Sequence, residues 1–202
     1  MKVLVTYMSQ TGNTKKVAEA IFGEIIGDRE IKKIEDVESI EGYDITFLGF
    51  PVHGDKVEKK VLDLLAKLCI QGRNVALFAT HGSRVGNQQW LAEFRQAASN
   101  AKIMGIFDCQ GQLAKFIKFL MSIHPNAQYR QWVKMDTSQG QPDEAQLEKA
   151  RTFSRRIMKA SVDPHFVKTD KNTCQSDDYD SAAIRFDITA HSGAGNVSVI
   201  SK

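Results

Sequence analysis

The sequence has few cysteines, little excess charge of either sign and no long apolar runs. Its three cysteines, Cys69, Cys109 and Cys174, are far apart and show no C-x-x-C spacing. A disulfide-rich scaffold and a zinc or iron–sulfur site are therefore poor explanations, and we interpret each cysteine as a small buried or incidental thiol. Lys and Arg number 27 against 24 Asp and Glu, a formal charge of +3. This excess is too small and too dispersed to predict a nucleic-acid-binding surface.

The apolar runs are too short for a membrane helix. The longest, such as residues 45–52 and 75–79, fall well short of the ~20 residues that such a helix needs. We therefore expect no membrane insertion. The apolar residues 3–5 are soon followed by polar ones, without the apolar core and small-residue cleavage site of an export signal. The sequence thus predicts a cytoplasmic protein.

Short apolar runs alternate with longer amphipathic segments, which indicates βαβ units around a parallel sheet. Strands are predicted over residues 3–8, 31–34, 45–50, 74–80 and 103–108. Helices are predicted over residues 13–26, 57–68, 90–98 and 143–160. Right-handed crossovers favour a doubly wound α/β sheet of order 2-1-3-4-5, with its ligand at the switch between the first and third strands.

Two segments depart from this minimal pattern. Residues 113–136 insert a helix-like piece and a basic, aromatic stretch. The insert is either a docking surface or lid that draws an acidic protein or a carboxylate-bearing substrate, or it is extra core packing with solvated charges. Residues 161–202 form a net negative extension beyond the domain of residues 1–160. In it, residues 183–189 and 196–200 suggest a β-hairpin or a partly disordered tail.

The loop after the first strand is the most informative. Ser9, Gln10, Thr11, Gly12, Asn13 and Thr14 offer three hydroxyls and a glycine where the backbone enters a helix. The free N–H groups and positive dipole end of a helix N-terminus suit a phosphate. Because the P-loop and dinucleotide fingerprints are absent, a single terminal phosphate is the favoured ligand. A helix cap without any ligand is the alternative.

Residues 7–14, followed by Ala18 and Ile21, are similar to the signature of flavodoxins. This resemblance implies a flavodoxin-like, FMN-binding domain over residues 1–160. It also implies that residues 9–14 hold the phosphate of flavin mononucleotide.

Two further loops take their roles from the same resemblance. The segment Pro51, Val52, His53 and Gly54 resembles the family's second flavin loop, with His53 in place of the aromatic residue that commonly covers one face of the ring. The segment Thr80, His81, Gly82, Ser83, Arg84 and Gly86 lies where the family wraps the other side of the ring, but it lacks the usual tyrosine.

The residues around these two loops leave alternatives open. Trp90 is able to replace the missing tyrosine, but its helix also needs a core anchor, and burial is the favoured role. His53 and His81 are interpreted either as cofactor neighbours or as structural histidines. Lys56 and Arg84 would place positive charge near the ring and make the flavin less reducing than in a typical, acidic flavodoxin.

Three functions remain open at this point. The favoured one is an electron carrier that passes one electron at a time between redox partner proteins, because no catalytic triad or Cys-His arrangement is legible. The second is an FMN-dependent reductase of a small acceptor such as a quinone or tetrapyrrole. The third is a sheet domain that has lost its cofactor and serves interaction.

Overall fold

The five predicted strands form one sheet in the computed structural model, which describes residues 1–53, 57–82 and 89–162. The second strand, predicted over residues 31–34, spans residues 28–33 and is mainly charged. The strands are β1 (Lys2–Tyr7), β2 (Asp28–Lys33), β3 (Ile45–Val52), β4 (Asn74–His81) and β5 (Lys102–Gln110). The helices are α1 (Asn13–Glu24), α2 (Lys59–Leu68), α3 (Gln89–Ala97), α4 (Lys115–Ser122), α5 (Ala127–Lys134) and α6 (Glu144–Val162). A 3-10 turn, Ile34–Asp36, follows β2.

The strand order confirms the predicted topology. All four pairings are parallel, and the order is β2-β1-β3-β4-β5. In β1, Val5 lies between Ile31 of β2 and Phe47 of β3. The direction of winding therefore reverses between β1 and β3, and this switch point lies at the carboxyl edge where open α/β sheets bind ligands.

The two faces of the sheet are covered by different helices. Leu4 of β1 belongs to the buried cluster that includes Leu65 of α2 and Phe94 of α3. Its neighbour Val5 belongs to the other cluster, which includes Ile21 of α1 and Phe153 of α6. Successive strand residues point to opposite faces, so the near-continuous apolar strands are explained by burial on both sides.

The end of α1 differs from the prediction by two residues. The helix ends at Glu24, because Ile25 is already extended, with φ −81° and ψ 124°. Arg29 Nη1 donates hydrogen bonds to the carbonyl oxygens of Phe22 and Ile25, both at 2.5 Å. A guanidinium that satisfies the last carbonyls of a helix helps to stop it there, and the apolar periodicity carries no sign of this cap.

The insert of residues 113–136 forms two helices, α4 and α5, that pack against each other. Neither helix contains a buried residue. The interpretation of the insert as extra core packing is therefore wrong. The helix-like piece is α4, whereas α5 occupies the basic, aromatic stretch that carried no helix prediction.

Three smaller expectations concern Trp90, the cysteines and tail hairpin, and the domain boundary. Trp90 is 3% exposed and packs edge to face on Phe94, which confirms its role as a core anchor. Cys69 and Cys109 are buried and unpaired, whereas Cys174 and the predicted tail hairpin lie outside the described residues. The domain boundary at residue 160 stays a prediction; α6 runs to Val162.

Candidate functional site

The carboxyl ends of β1, β3 and β4 lie side by side at one edge of the sheet. Two hydrogen bonds tie the first loop to its neighbours. The hydroxyls of Thr14 and Thr80 lie 2.9 Å apart and are buried, and Asn13 Nδ2 donates to the carbonyl oxygen of Gln112 at 2.8 Å. The first loop is thereby fixed against the ends of both β4 and β5.

The first loop enters α1 through a left-handed residue. Gly12 is the N-cap of α1, with φ +88°, and a Cβ there would lie in open space. A residue with a side chain rarely adopts this φ, so glycine suits the turn. No side chain caps the helix, and its first intrahelical bond runs from Lys16 N to Gly12 O at 3.0 Å. The first amides of α1 are therefore left to bind an external acceptor.

The three hydroxyls of this loop have different surroundings. Ser9 Oγ accepts a bond from Gly12 N at 3.1 Å, and Thr11 Oγ1 accepts one from Asn13 Nδ2 at 3.0 Å. Each of these hydroxyls keeps its own proton to donate to an anion. Thr14 instead turns its hydroxyl inward to Thr80, so only its amide can face a ligand. Gln10 is exposed at the tip of the loop.

The charge of the first loop also suits a phosphate. The first turn of α1 contains no acidic side chain that would compete for its amides. A loop with free amides, two available hydroxyls and the positive end of a helix dipole binds a terminal phosphate without a metal ion. The residues present therefore fit the phosphate of FMN.

The second loop is only partly described. Pro51 and Val52 end β3 and are buried, whereas His53 is exposed. His53 Nδ1 lies 2.7 Å from Glu58 Oε1, just before α2. Gly54 and Lys56 lie outside the described residues. The pair of His53 and Glu58 holds the imidazole at the edge where the resemblance places one face of the ring.

The third loop begins with a buried histidine. His81, at the end of β4, is 7% exposed, and its Nε2 lies 3.0 Å from Asp108 Oδ2 of β5. Its ring centroid is 6.2 Å from that of Trp90. Gly82 follows His81, whereas Ser83, Arg84 and Gly86 lie outside the described residues, so the charge effect of Arg84 and Lys56 stays a prediction.

A fourth loop, after β5, completes the site and was missed from the sequence. Its Gln112 carbonyl oxygen accepts from Asn13, and Gly111 N donates to His81 O at 2.8 Å. A Cβ on Gly111 would lie 2.7 Å from Asn13 Nδ2. Gly111, three residues after the strand predicted over residues 103–108, was the available signal, because parallel strands bring their carboxyl ends to one edge.

Two classes of site receive no support in the described ranges. Within them, no group of three or more His, Cys, Asp or Glu side chains is placed to hold a metal ion. Across the same ranges, no helix has the length and apolar character needed to cross a membrane.

The comparisons with known proteins all point to one family. A flavodoxin domain model matches residues 4–155. The flavodoxin-like domain-containing protein BilS of Clostridioides difficile (strain CD3) is 33% identical over 180 residues, which cover 80% of this chain and 99% of that protein. A flavodoxin of Clostridium beijerinckii is 31% identical over 103 residues, or 46% of this chain and 72% of that protein. The structure of a flavodoxin from the domain Archaea superposes with a TM-score of 0.54 at 20% identity, covering 81% of this chain and all of that one.

Proposed function

Because the chain belongs to the flavodoxin family, we propose that it carries electrons one at a time between redox partner proteins, with FMN bound at the carboxyl edge of its sheet. Family membership supports FMN as the cofactor and electron transfer as the general function. The one-electron role, the protein partners and the cytoplasmic location stay part of the proposal.

One observation carries the assignment of the site. The uncapped N-terminus of α1 lies at the switch point between β1 and β3, behind a left-handed Gly12. Residues 9–14 would hold the phosphate there through amides and the Ser9 and Thr11 hydroxyls. The ends of β3 and β4, with the loops that follow them, would enclose the ring. When bound, FMN supplies the redox chemistry, and the protein supplies position and field.

The state of the two described cysteines, Cys69 and Cys109, gives no support to an enzyme with covalent thiol chemistry. Burial raises the pKa of the Cys69 thiol to about 12, and burial also raises the pKa of Cys109. Both thiols are therefore protonated near neutral pH and make poor nucleophiles. Neither of these thiols therefore supplies covalent chemistry, and the redox chemistry is that of the flavin.

The test of FMN binding compares FMN with riboflavin, which lacks the phosphate. Two hydrogen bonds to a charged phosphate contribute about 1.5–3 kcal/mol each, so we expect riboflavin to bind at least ~100-fold more weakly by calorimetry. Equal affinities would exclude residues 9–14 as a phosphate site. Coulometric reduction of the FMN-loaded chain should then show two separate one-electron steps, whereas a single two-electron step would contradict the carrier role.

Two glycines give a matched pair of variants. Gly12 and Gly42 have φ of +88° and +84°, and a Cβ at either position would lie in open space. Gly12→Ala and Gly42→Ala should each lower the free energy of unfolding by about 1–2 kcal/mol. Only Gly12→Ala should also weaken FMN binding, by about tenfold or more, since it alone reshapes the phosphate loop.

The pair of His81 and Asp108 favours a second candidate, an FMN-dependent reductase of a small acceptor. A buried histidine held 3.0 Å from a carboxylate is able to hold and transfer a proton, as two-electron reduction of a quinone or tetrapyrrole requires. NAD(P)H oxidation by the FMN-loaded chain with a quinone present, and its loss in His81→Gln, would establish the reductase. Turnover that the substitution leaves unchanged would remove His81 from the chemistry.

A further inference from the structure

The exposed apolar side chains are concentrated in residues 113–136, a segment that we call the basic hairpin. Across the described residues, eleven large hydrophobic side chains are exposed, and eight of them lie in this segment. The eight are Phe116, Ile117, Phe119, Leu120, Ile123, Tyr129, Trp132 and Met135. An exposed apolar patch of this kind marks an interaction site more often than a free surface.

Three apolar residues of α4 and its C-cap residue Ile123 form one exposed stripe. Phe116, Phe119, Leu120 and Ile123 follow the i, i+3, i+4, i+7 spacing of a helix face and are 67%, 58%, 42% and 61% exposed. The helix has eight residues, and isolated helices this short are marginal in water. A partner that covers the stripe would stabilise the helix as well as bury apolar area.

The same segment holds the excess charge of the chain. It has four cations, Lys115, Lys118, Arg130 and Lys134, against the single carboxylate of Asp136. This excess of three equals the formal charge of the whole chain, so the remaining residues balance. Positive charge is therefore denser in this segment than in the rest of the chain, and it coincides with the exposed apolar side chains.

Most of these cations remain available to a partner. Lys118 pairs with Asp136, but neither Lys115 nor Lys134 forms an ion pair in the part of the chain that the structure describes. Arg130 Nη1 donates to the carbonyl oxygens of His124 and Pro125, at 2.5 and 2.7 Å. Carbonyl groups do not neutralise its charge.

The basic hairpin is anchored next to the proposed cofactor site. Leu113 N, at its start, donates to the buried Ser138 Oγ at 2.9 Å. A Cβ on Gly82 would lie 2.8 Å from Leu113 Cδ1, and the preceding residue Gln112 accepts from Asn13. A protein seated on the hairpin would therefore stand beside the first loop and Gly82.

We propose that the basic hairpin is the docking surface for an acidic redox protein. The apolar stripe of α4 forms the centre of the contact, and Lys115, Arg130 and Lys134 meet carboxylates around it, which matches the aromatic, Met and Arg-rich composition of protein interfaces. The inference rests on the proposed function, because electron transfer requires the partner at the flavin edge. Its place beside the cofactor loops favours a redox protein over a lipid surface.

The test measures binding of the full FMN-loaded chain to an acidic two-iron ferredoxin, with basic cytochrome c as the opposite probe. We expect binding of the ferredoxin that weakens about tenfold between 20 and 200 mM NaCl, and weaker binding of the cytochrome. Equal or tighter binding of the cytochrome would overturn the proposal. The same measurement without FMN separates docking from cofactor binding: failure to load FMN would count against the proposed function, not against the hairpin.

Charge reversal at matched positions localises the surface. In K115E/K134E, ferredoxin binding should fall about tenfold or more, since like charges would then face each other. K67E/K102E is the control, because Lys67 and Lys102 are exposed as well. Lys67, like Lys134, lies in the last turn of a helix. Lys102, like Lys115, is the first residue of its element. The control should change binding less than about twofold, and an equal loss in both variants would reject the hairpin as the site.

Carbodiimide cross-linking of lysines to carboxylates, in the unmodified chain, keeps the proposal testable if a variant fails to fold. Cross-links from Lys115 or Lys134 to the ferredoxin support it. Cross-links from these lysines to Asp177, Asp178 or Asp180 in the monomer would assign the surface to residues 163–202, and cross-links between copies would assign it to a dimer. Tighter binding to phosphatidylserine vesicles than to the ferredoxin, lost in F116S/F119S, would assign it to a membrane surface.

Discussion

Phenylalanine is used in opposite ways in the sheet core and in the basic hairpin. Phe47 of β3 is fully buried and meets Phe153 of α6 edge to face, with ring centroids 6.1 Å apart. Phe116 and Phe119 of α4 are more than half exposed. Phe153, Phe116 and Phe119 lie in helices whose apolar residues recur at helical spacing, whereas β3 is buried along its whole length. Periodicity therefore shows that a face needs cover, but not whether the same chain or another molecule provides it.

The largest expected effect comes from replacing a buried phenylalanine, and comparison with an exposed one tests whether the stripe of α4 stabilises the free chain. Phe47→Ala should lower the free energy of unfolding by about 3–5 kcal/mol, because it leaves a cavity between two layers. Phe119→Ala should change it by no more than about 0.5 kcal/mol. Urea denaturation measures both. A loss above about 2 kcal/mol in Phe119→Ala would break the comparison, since the stripe would then stabilise the free chain.

A smaller effect is expected at the loop after β5, which contacts the first loop. A Cβ at Gly111 would crowd the Asn13 side chain, at 2.7 Å from Nδ2 and 2.9 Å from Cβ. Gly111→Ala should therefore displace Asn13 from the Gln112 carbonyl, cost about 1–3 kcal/mol of stability and weaken FMN binding about tenfold.

Gly23 provides the control for this substitution. It is exposed within α1, and a Cβ there meets no atom within 4 Å. Gly23→Ala should stabilise the chain by about 0.5–1 kcal/mol and leave FMN affinity unchanged. If Gly111→Ala bound FMN as tightly as Gly23→Ala does, the loop after β5 would have no part in the cofactor site.

The smallest effect concerns charge. At the β2 edge the cations are paired within the chain, since Glu30 Oε1 lies 2.9 Å from Lys2 Nζ and Oε2 lies 2.5 Å from Lys32 Nζ. Hydrogen bonds from Lys32, Lys2 and Tyr43 lower the pKa of Glu30 to about 2. Because the folded pKa lies below the unfolded value of 4.5, this contribution to stability is present above pH 4.5 and is lost as pH falls toward 2.

In Glu30→Gln, stability should therefore fall less between pH 4.5 and 2 than it does in the wild type. Thermal midpoints across that pH range measure the difference. K115Q/K134Q should leave the change of thermal midpoint with pH as in the wild type, because no carboxylate pairs with those lysines in the described residues. Identical pH profiles for wild type and Glu30→Gln would contradict a stabilising role for the ionised Glu30 carboxylate.

The sheet and the first loop were predictable from sequence because their signals are local. Strand-length apolar runs and helical spacing gave the order of β1 to β5, and residues 9–14 lie within one contiguous motif. The contacts that complete the site depend on tertiary register. Asn13 meets the Gln112 carbonyl 99 residues away, and His81 meets Asp108 27 residues away, because β4 and β5 pair side by side. No spacing in the sequence specifies these distances.

The two ends of the described fold lie together, far from the cofactor loops. Ser161 Oγ, near the end of α6, donates to the Met1 sulfur at 3.4 Å, and Met1 directly precedes β1 at the amino edge of the sheet. A helix of 19 residues is about 28 Å long, so α6 separates this point from the carboxyl edge. The described fold therefore begins and ends at the amino edge of the sheet, at the opposite end of α6 from the loop that binds at the N-terminus of α1.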